Sequence, residues 1–117
     1  MIMETQIITD KIKKSNALIH VFMGYNLNEE YIYRTKGVEY KHIYNLKYHK
    51  DWNSIMQVIE KIESLNYNII INSTWSFIEK NNLNSEKLEI ACYGKTKFES
   101  VYNTIIAFIE HYNTTTQ

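Results

Sequence analysis

Apolar residues recur at intervals of three and four in two long stretches of the chain, and each set predicts an amphipathic helix. From Asp51 to Leu65 the set is Trp52, Ile55, Met56, Ile59 and Ile62, with Gln57, Glu60, Lys61 and Ser64 falling mostly opposite. Asp51 is placed to cap its first turn and Asn66 to stop it. From Thr96 to Tyr112 the set is Phe98, Val101, Tyr102, Ile105, Phe108, Ile109 and Tyr112. Thr96 followed by Glu99 has the form of a capping box, and residues 114–117 form a polar tail expected to fray.

Between these helices the period shortens to two. Residues 67–72, 73–80 and 86–93 are short, β-branched and aromatic, with alternation clearest at Trp75 and Phe77 and at Leu88, Ile90 and Cys92. Loop composition at 81–86 and connections of only a few residues point to antiparallel pairing. Upstream, SNALIHVFMGY (15–25) predicts a further helix with an apolar face of Ala17, Leu18, Val21 and Phe22, ended by Gly24 and extended backward through Ile12 and Ile8. Residues 31–34 and 38–44 alternate weakly, as a strand or hairpin would. The helices need an apolar surface, and the sheet face offering Ile69, Ile71, Phe77 and Ile90 supplies it. The expected fold is therefore α+β: a small antiparallel sheet of three or so strands packed with three helices, an α/β/α-type sandwich. One domain covers 1–117, with 1–15 as an N-terminal extension.

Composition removes several function classes. Cys92 is the only cysteine, which excludes an internal disulfide and any multi-cysteine metal site. Gly24, Gly37 and Gly94 stand alone, so no glycine-rich phosphate loop is present. His20, His42, His49 and His111 include no pair at helical ligand spacing, and no HExxH or CxxC motif accompanies them. Neither a metal nor a cofactor is expected. Cys92 alternates with Leu88 and Ile90, a pattern that directs its thiol to the core as a small inert group. No acid–base pair stands out, and the expectation is a protein that is not an enzyme. No run reaches the ~18 apolar residues of a membrane span, and the N-terminus lacks the order of a secretory signal. The expected location is the bacterial cytoplasm.

Charge adds one feature that net charge hides. The chain balances 13 Lys and Arg against 13 Asp and Glu. Residues 31–50, YIYRTKGVEYKHIYNLKYHK, nevertheless hold five cations against the single acid Glu39, and five tyrosines with them. Candidate binding residues are Tyr31, Tyr33, Arg34, Lys36, Tyr40, Lys41, His42, Tyr44, Lys47, Tyr48, His49 and Lys50. Tyrosine faces stack on splayed bases or fill pockets of a protein partner, while cations attract phosphate or an acidic surface. The alternative is packing: the rings lie on the sheet and the lysines solvate its outer side. A chain near its isoelectric point also has little repulsion against a second copy of itself, and the apolar stripe of the last helix, with Ile106, offers a dimer surface.

YHKDWNSIMQVIEKIESLNY, with ALIHVFMGY before it and ESVYNTIIAFIEHYN after it, resembles a family of small phage and prophage proteins, many from Bacteroidetes. The same order is similar to the phage α/β/α sandwich domain. The matching positions are Phe22, Met23 and Gly24, then Tyr48, His49, Trp52, Met56, Glu60, Lys61 and Ile62, then Val101, Tyr102, Phe108, Ile109, Tyr112 and Asn113. Ser54 departs from a common tryptophan and Gln57 from a frequent proline. The resemblance implies a fold and a phage setting, and assigns no catalytic residue. The expectation that follows is a non-catalytic accessory protein acting by binding, as an anti-CRISPR-type inhibitor of a host effector nuclease or its guide RNA. A sponge for a nucleotide signal and a purely structural phage protein are the alternatives.

Overall fold

The structure, a computed structural model, describes residues 10–25, 27–28, 31–35, 39–42, 46–80 and 89–115, with 27–42 described by backbone alone. In chain order the elements are α1 (Asp10–Phe22), β1 (Leu27–Asn28), β2 (Tyr31–Thr35), β3 (Glu39–His42), α2 (Trp52–Ser64), β4 (Tyr67–Ile71), β5 (Trp75–Lys80), β6 (Glu89–Tyr93) and α3 (Lys97–Thr115). This is the expected α+β class, three helices with a three-stranded antiparallel sheet in the order β4-β5-β6. A second small antiparallel sheet, β1-β2-β3, contains the strands expected at 31–34 and, as far as the described residues go, within 38–44; residues 38, 43 and 44 lie outside them.

Local chemistry sets the helix boundaries. Asp51 caps α2, its Oδ2 accepting from the Ser54 amide at 3.0 Å and the Ser54 hydroxyl at 2.8 Å. Those same two bonds, the hydroxyl first, hold the Asp51 carboxyl below its usual range. At the other end Asn66 takes φ 75° and donates to Glu63 O at 3.1 Å, a left-handed residue that closes the helix. Thr96 Oγ1 accepts from the Glu99 amide at 3.0 Å, while the Glu99 carboxylate reaches back to the Lys95 amide. The capping box has thus moved one residue outward on its return arm. Past the expected end at Tyr112 the last helix continues to Thr115, where the Thr114 and Thr115 hydroxyls both donate to His111 O.

Helix α1 ends in a Schellman motif. Gly24, at φ 100°, donates to Val21 O at 2.9 Å, and Tyr25 donates to His20 O at 3.1 Å. The contact that usually accompanies this motif is here a ring stack, His20 on Tyr25, with centroids 4.3 Å apart and planes 10° from parallel.

The three helices gather on one side of the main sheet. Register places Ile69 opposite Ile78 and Ile78 opposite Ile90, so these residues share the helix-facing side with Ile71, Ser76 and Cys92. Two expectations about faces are corrected. Phe77 lies opposite Ile70 and Ala91 on the other side of the sheet, and the inward places of β5 go to Ser76 and Ile78, both fully buried. The reason is proximity: α3 crosses so close that Ser76 Oγ sits 2.9 Å from Ser100 Oγ, and Thr104 donates to Ser76 O at 3.0 Å. A phenyl ring at position 76 has no room. At Gly94, beside the same crossing, a Cβ would overlap the backbone of Glu99 and Ser100.

In α1 the fully buried residues are Asn16, Ile19 and His20; Ala17, Leu18 and Phe22 of the expected face pack partly buried against the core, whereas Val21 is 54% exposed. In α2 the buried stripe is Ile55, Val58, Ile59 and Ile62, with Trp52 and Met56 left at the rim. Trp52 meets the Phe98 ring edge-on at 4.7 Å. The core closes on Phe108, whose ring is bracketed by Phe22, Tyr67 and Tyr112. Cys92 is half-buried on the helix side as expected, and burial pushes its thiol up against an opposing Thr104 hydrogen bond.

Candidate binding site

The twelve candidate residues divide into three groups. Tyr31, Tyr33 and Arg34 lie on β2, and Tyr40, Lys41 and His42 on β3; the register sets Tyr31 opposite His42 and Ile32 opposite Lys41. Lys36 and Tyr44 lie outside the described residues. Lys47, Tyr48, His49 and Lys50 form a turn closed by the Lys50 and Asp51 amides on Lys47 O, at 3.0 and 2.9 Å, which runs straight into the cap of α2.

That turn alternates between water and core. Lys47 and Lys50 are exposed, whereas Tyr48 is buried. The Tyr48 ring is therefore packing rather than a stacking face, a correction to its candidate role. Its hydroxyl shares a 2.8 Å hydrogen bond with His20 Nδ1, and burial, with Tyr25 nearby, pushes the phenol up to about 12. His49 Nδ1 accepts from Asn16 Nδ2 at 2.9 Å. Asn16 also donates to Leu46 O at 3.3 Å and accepts from the Tyr102 hydroxyl at 2.8 Å. One buried amide thus ties the turn, α1 and α3 together. Burial raises the Tyr102 phenol to about 12, with a Ser15 hydrogen bond acting the other way.

Burial, and after it the Lys50 charge, push the His49 imidazole below its ordinary value of 6.5. Protonation would also set an N–H against the Asn16 donor. Above 6.5 His49 is neutral in both folded and unfolded chains. As pH falls through that value the unfolded chain takes the proton first, so folded stability drops until the folded imidazole also protonates. His49→Gln is expected to flatten the melting-temperature profile between about pH 7 and pH 5; parallel profiles for the two proteins would refute this.

A second feature combines residues from both ends of the chain. Helices α1 and α3 run in the same direction, Asn16 meeting Tyr102 and Phe22 meeting Phe108 and Tyr112. Beside their first halves opens a groove of about 980 Å³. Lys11 and Lys14 line it from α1, Lys95 from the foot of α3, and Phe98 and Tyr102 supply rings. Among the described side chains of the 31–50 candidates, His49 is the one that lines it. The signal for this site in the sequence is faint: Lys11 and Lys14 share a helix side, but nothing links them to Lys95.

The stripe of α3 considered for a dimer is spent inside the molecule, with Val101, Ile105, Phe108 and Ile109 buried. Besides Val21, Trp52 and Met56 on the helices, exposed apolar surface lies on the outer side of the sheet. There Trp75 stacks on Phe77 at 5.5 Å, and Tyr93 is 74% exposed. Among the described residues no cluster of three His, Cys, Asp or Glu side chains could hold a metal ion, and no helix is long and apolar enough to cross a membrane.

No protein-family profile matches the chain, and no curated protein matches it. Among solved structures, a phage protein from Bacillus cereus ATCC 14579 superposes with a TM-score of 0.59 at 17% sequence identity, over 89% of this chain and 92% of that one. At that identity the likeness is one of fold. It agrees with the phage resemblance, and gives no support to a Bacteroidetes origin in particular.

Proposed function

We propose that this chain is a non-catalytic accessory protein of a phage or mobile element that acts by binding in the host cytoplasm, and that its target belongs to host defence: a CRISPR-type effector nuclease, engaged through its basic RNA channel or its guide RNA. The fold shared with a phage protein supports the setting. The observation that supports the mode of action is the turn at 47–50, where the buried Tyr48 and hydrogen-bonded His49 fix the backbone while Lys47 and Lys50 face water. Cations held on a rigid base lose less freedom on meeting phosphate than cations on a loose loop. Lys41 on β3 belongs to the same basic segment. His20, His49 and Cys92, the residues with the most chemistry to offer, are engaged in packing or hydrogen bonds, which favours binding over catalysis. The step from phage setting to defence target is one of context.

Electrophoretic mobility shift with single-stranded RNA and DNA at two salt concentrations tests the reading. For the chain with Lys41, Lys47 and Lys50 all changed to Ala, the slope of log affinity against log salt is expected to fall by about 2, at roughly 0.7 for each single-strand phosphate no longer neutralised. Equal slopes and affinities for the two proteins would remove these lysines from any nucleic-acid interface. Co-precipitation from cells equipped with a defence system then decides the target, and recovery of neither effector nor RNA counts against it.

A further inference from the structure

We infer that the groove between the first halves of α1 and α3 is a binding site for a small nucleotide with more than one phosphate, bordered by His49 of the basic segment at 31–50 but not by its Lys47 or Lys50. Its size comes first. A volume of about 980 Å³ stands at the upper end of the ~300–1,000 Å³ typical of ligand sites, more than a single phosphate or a lone mononucleotide fills.

Its chemistry comes next. Lys11 and Lys14, three residues apart on α1, line it, and Lys95 lines it from the foot of α3; all three are exposed. Cations contributed by two separate elements suit a ligand with more than one anionic group better than a single compact anion. Phe98, half-buried, lines the groove too and offers aromatic surface of the kind on which bases stack, while the buried Tyr102 forms its floor. Trp52 packs edge-on against Phe98, so that ring does not have to be ordered by the ligand. Asn103, which also lines the groove, donates to Tyr93 O at 3.0 Å and is held likewise.

Two acids line the groove as well. The Glu99 carboxylate is occupied by the Lys95 amide at the start of α3, and Glu110 stands three helical turns further along. The cationic part of the groove is thus its Lys95 end, and phosphates belong there. His49 forms part of the wall, and its Nδ1 is engaged with Asn16. A ligand in the groove therefore bears on the residue that anchors the 47–50 turn.

Isothermal titration of the full chain with cyclic di-AMP, ATP and inorganic phosphate tests the inference, with circular dichroism to check each variant's fold. Cyclic di-AMP or ATP is expected to bind more tightly than inorganic phosphate, and Lys14→Ala with Lys95→Ala to weaken that binding at least about tenfold. The Lys14→Arg, Lys95→Arg pair is expected to retain it. The chain with Lys41, Lys47 and Lys50 replaced by Ala is expected to bind the nucleotide unchanged, which separates this site from the nucleic-acid reading. The inference is overturned by absence of binding for both nucleotides up to millimolar concentration. Equal affinity in the Lys14/Lys95 alanine pair, inorganic phosphate bound as tightly as either nucleotide, or loss of nucleotide binding in the Lys41/Lys47/Lys50 variant overturns it too.

Discussion

Phe108→Ala is expected to destabilise the protein by about 4 kcal/mol, within the ~3–5 kcal/mol range for truncating a buried phenylalanine. The ring is fully buried and touches three others drawn from three elements: Phe22 on α1 edge-on at 6.2 Å, Tyr67 on β4 at 4.8 Å and Tyr112 on α3 at 5.7 Å. Part of the cost is apolar surface no longer buried; the rest is the cavity left behind. Collapse into that cavity is resisted from every side. Phe22 also packs on Tyr112 and carries the Lys61 ammonium over its ring at 5.2 Å, while Tyr67 belongs to a strand paired in register with β5. Aromatic pairs add roughly 0.5–1.5 kcal/mol each beyond area, which places the expected loss above the low end. A domain with ~5–15 kcal/mol in total keeps little after such a loss. Denaturant unfolding followed by circular dichroism measures it, with Phe108→Leu as a milder comparison. A loss under about 2 kcal/mol for the alanine variant would mean the rings close over the gap after all.

Asn16→Ala has the second largest expected effect, about 3 kcal/mol, and it is the more informative of the two. The side chain is only 1% exposed and makes hydrogen bonds to Leu46 O, His49 Nδ1 and the Tyr102 hydroxyl. Removing it takes the donor from the buried Leu46 carbonyl and the acceptor from the Tyr102 O–H, whose oxygen keeps only its Ser15 bond; each such group costs roughly 1–3 kcal/mol if left unsatisfied. Tyr102→Phe in the same background should return about 1 kcal/mol or more, because the stranded hydroxyl goes with it. A functional effect is expected alongside. With its anchor gone the 46–50 turn should exchange its amides faster, and binding through Lys47 and Lys50 should weaken although neither residue has changed. Amide exchange at 46–50 indistinguishable from wild type, with a stability loss below about 0.5 kcal/mol, would sink the view of Asn16 as the tie between turn and core.

Both effects depend on residues the sequence treats very differently. Phe108 sits in a run whose period is unmistakable, and the caps at Asp51 and Thr96 are legible because Asp, Thr and Glu have few other reasons to stand at those spacings. Asn16 and His20 are invisible to the same reasoning. A search for apolar periodicity skips polar residues, so it found Ala17, Leu18 and Phe22 but counted Val21, which the fold leaves in water, in place of Asn16 and His20. Phe77 misled for the opposite reason: size and hydrophobicity suggested the core, but under the helix crossing β5 the inward places go to Ser76 and Ile78. The groove could not be read at all, since its two walls come from opposite ends of the chain and become neighbours only through packing.

His20 has a further consequence for how this molecule can be altered. Tyr25, where the chain leaves α1, stacks on one imidazole, and Tyr48, where the chain returns toward α2, is hydrogen-bonded to the same imidazole. The chain thus leaves α1 and returns toward α2 against one and the same imidazole, with Leu46 held beside it by Asn16. A change at His20 therefore loosens both ends of the intervening stretch at once, and is felt at the Lys47–Lys50 turn as much as at the end of α1.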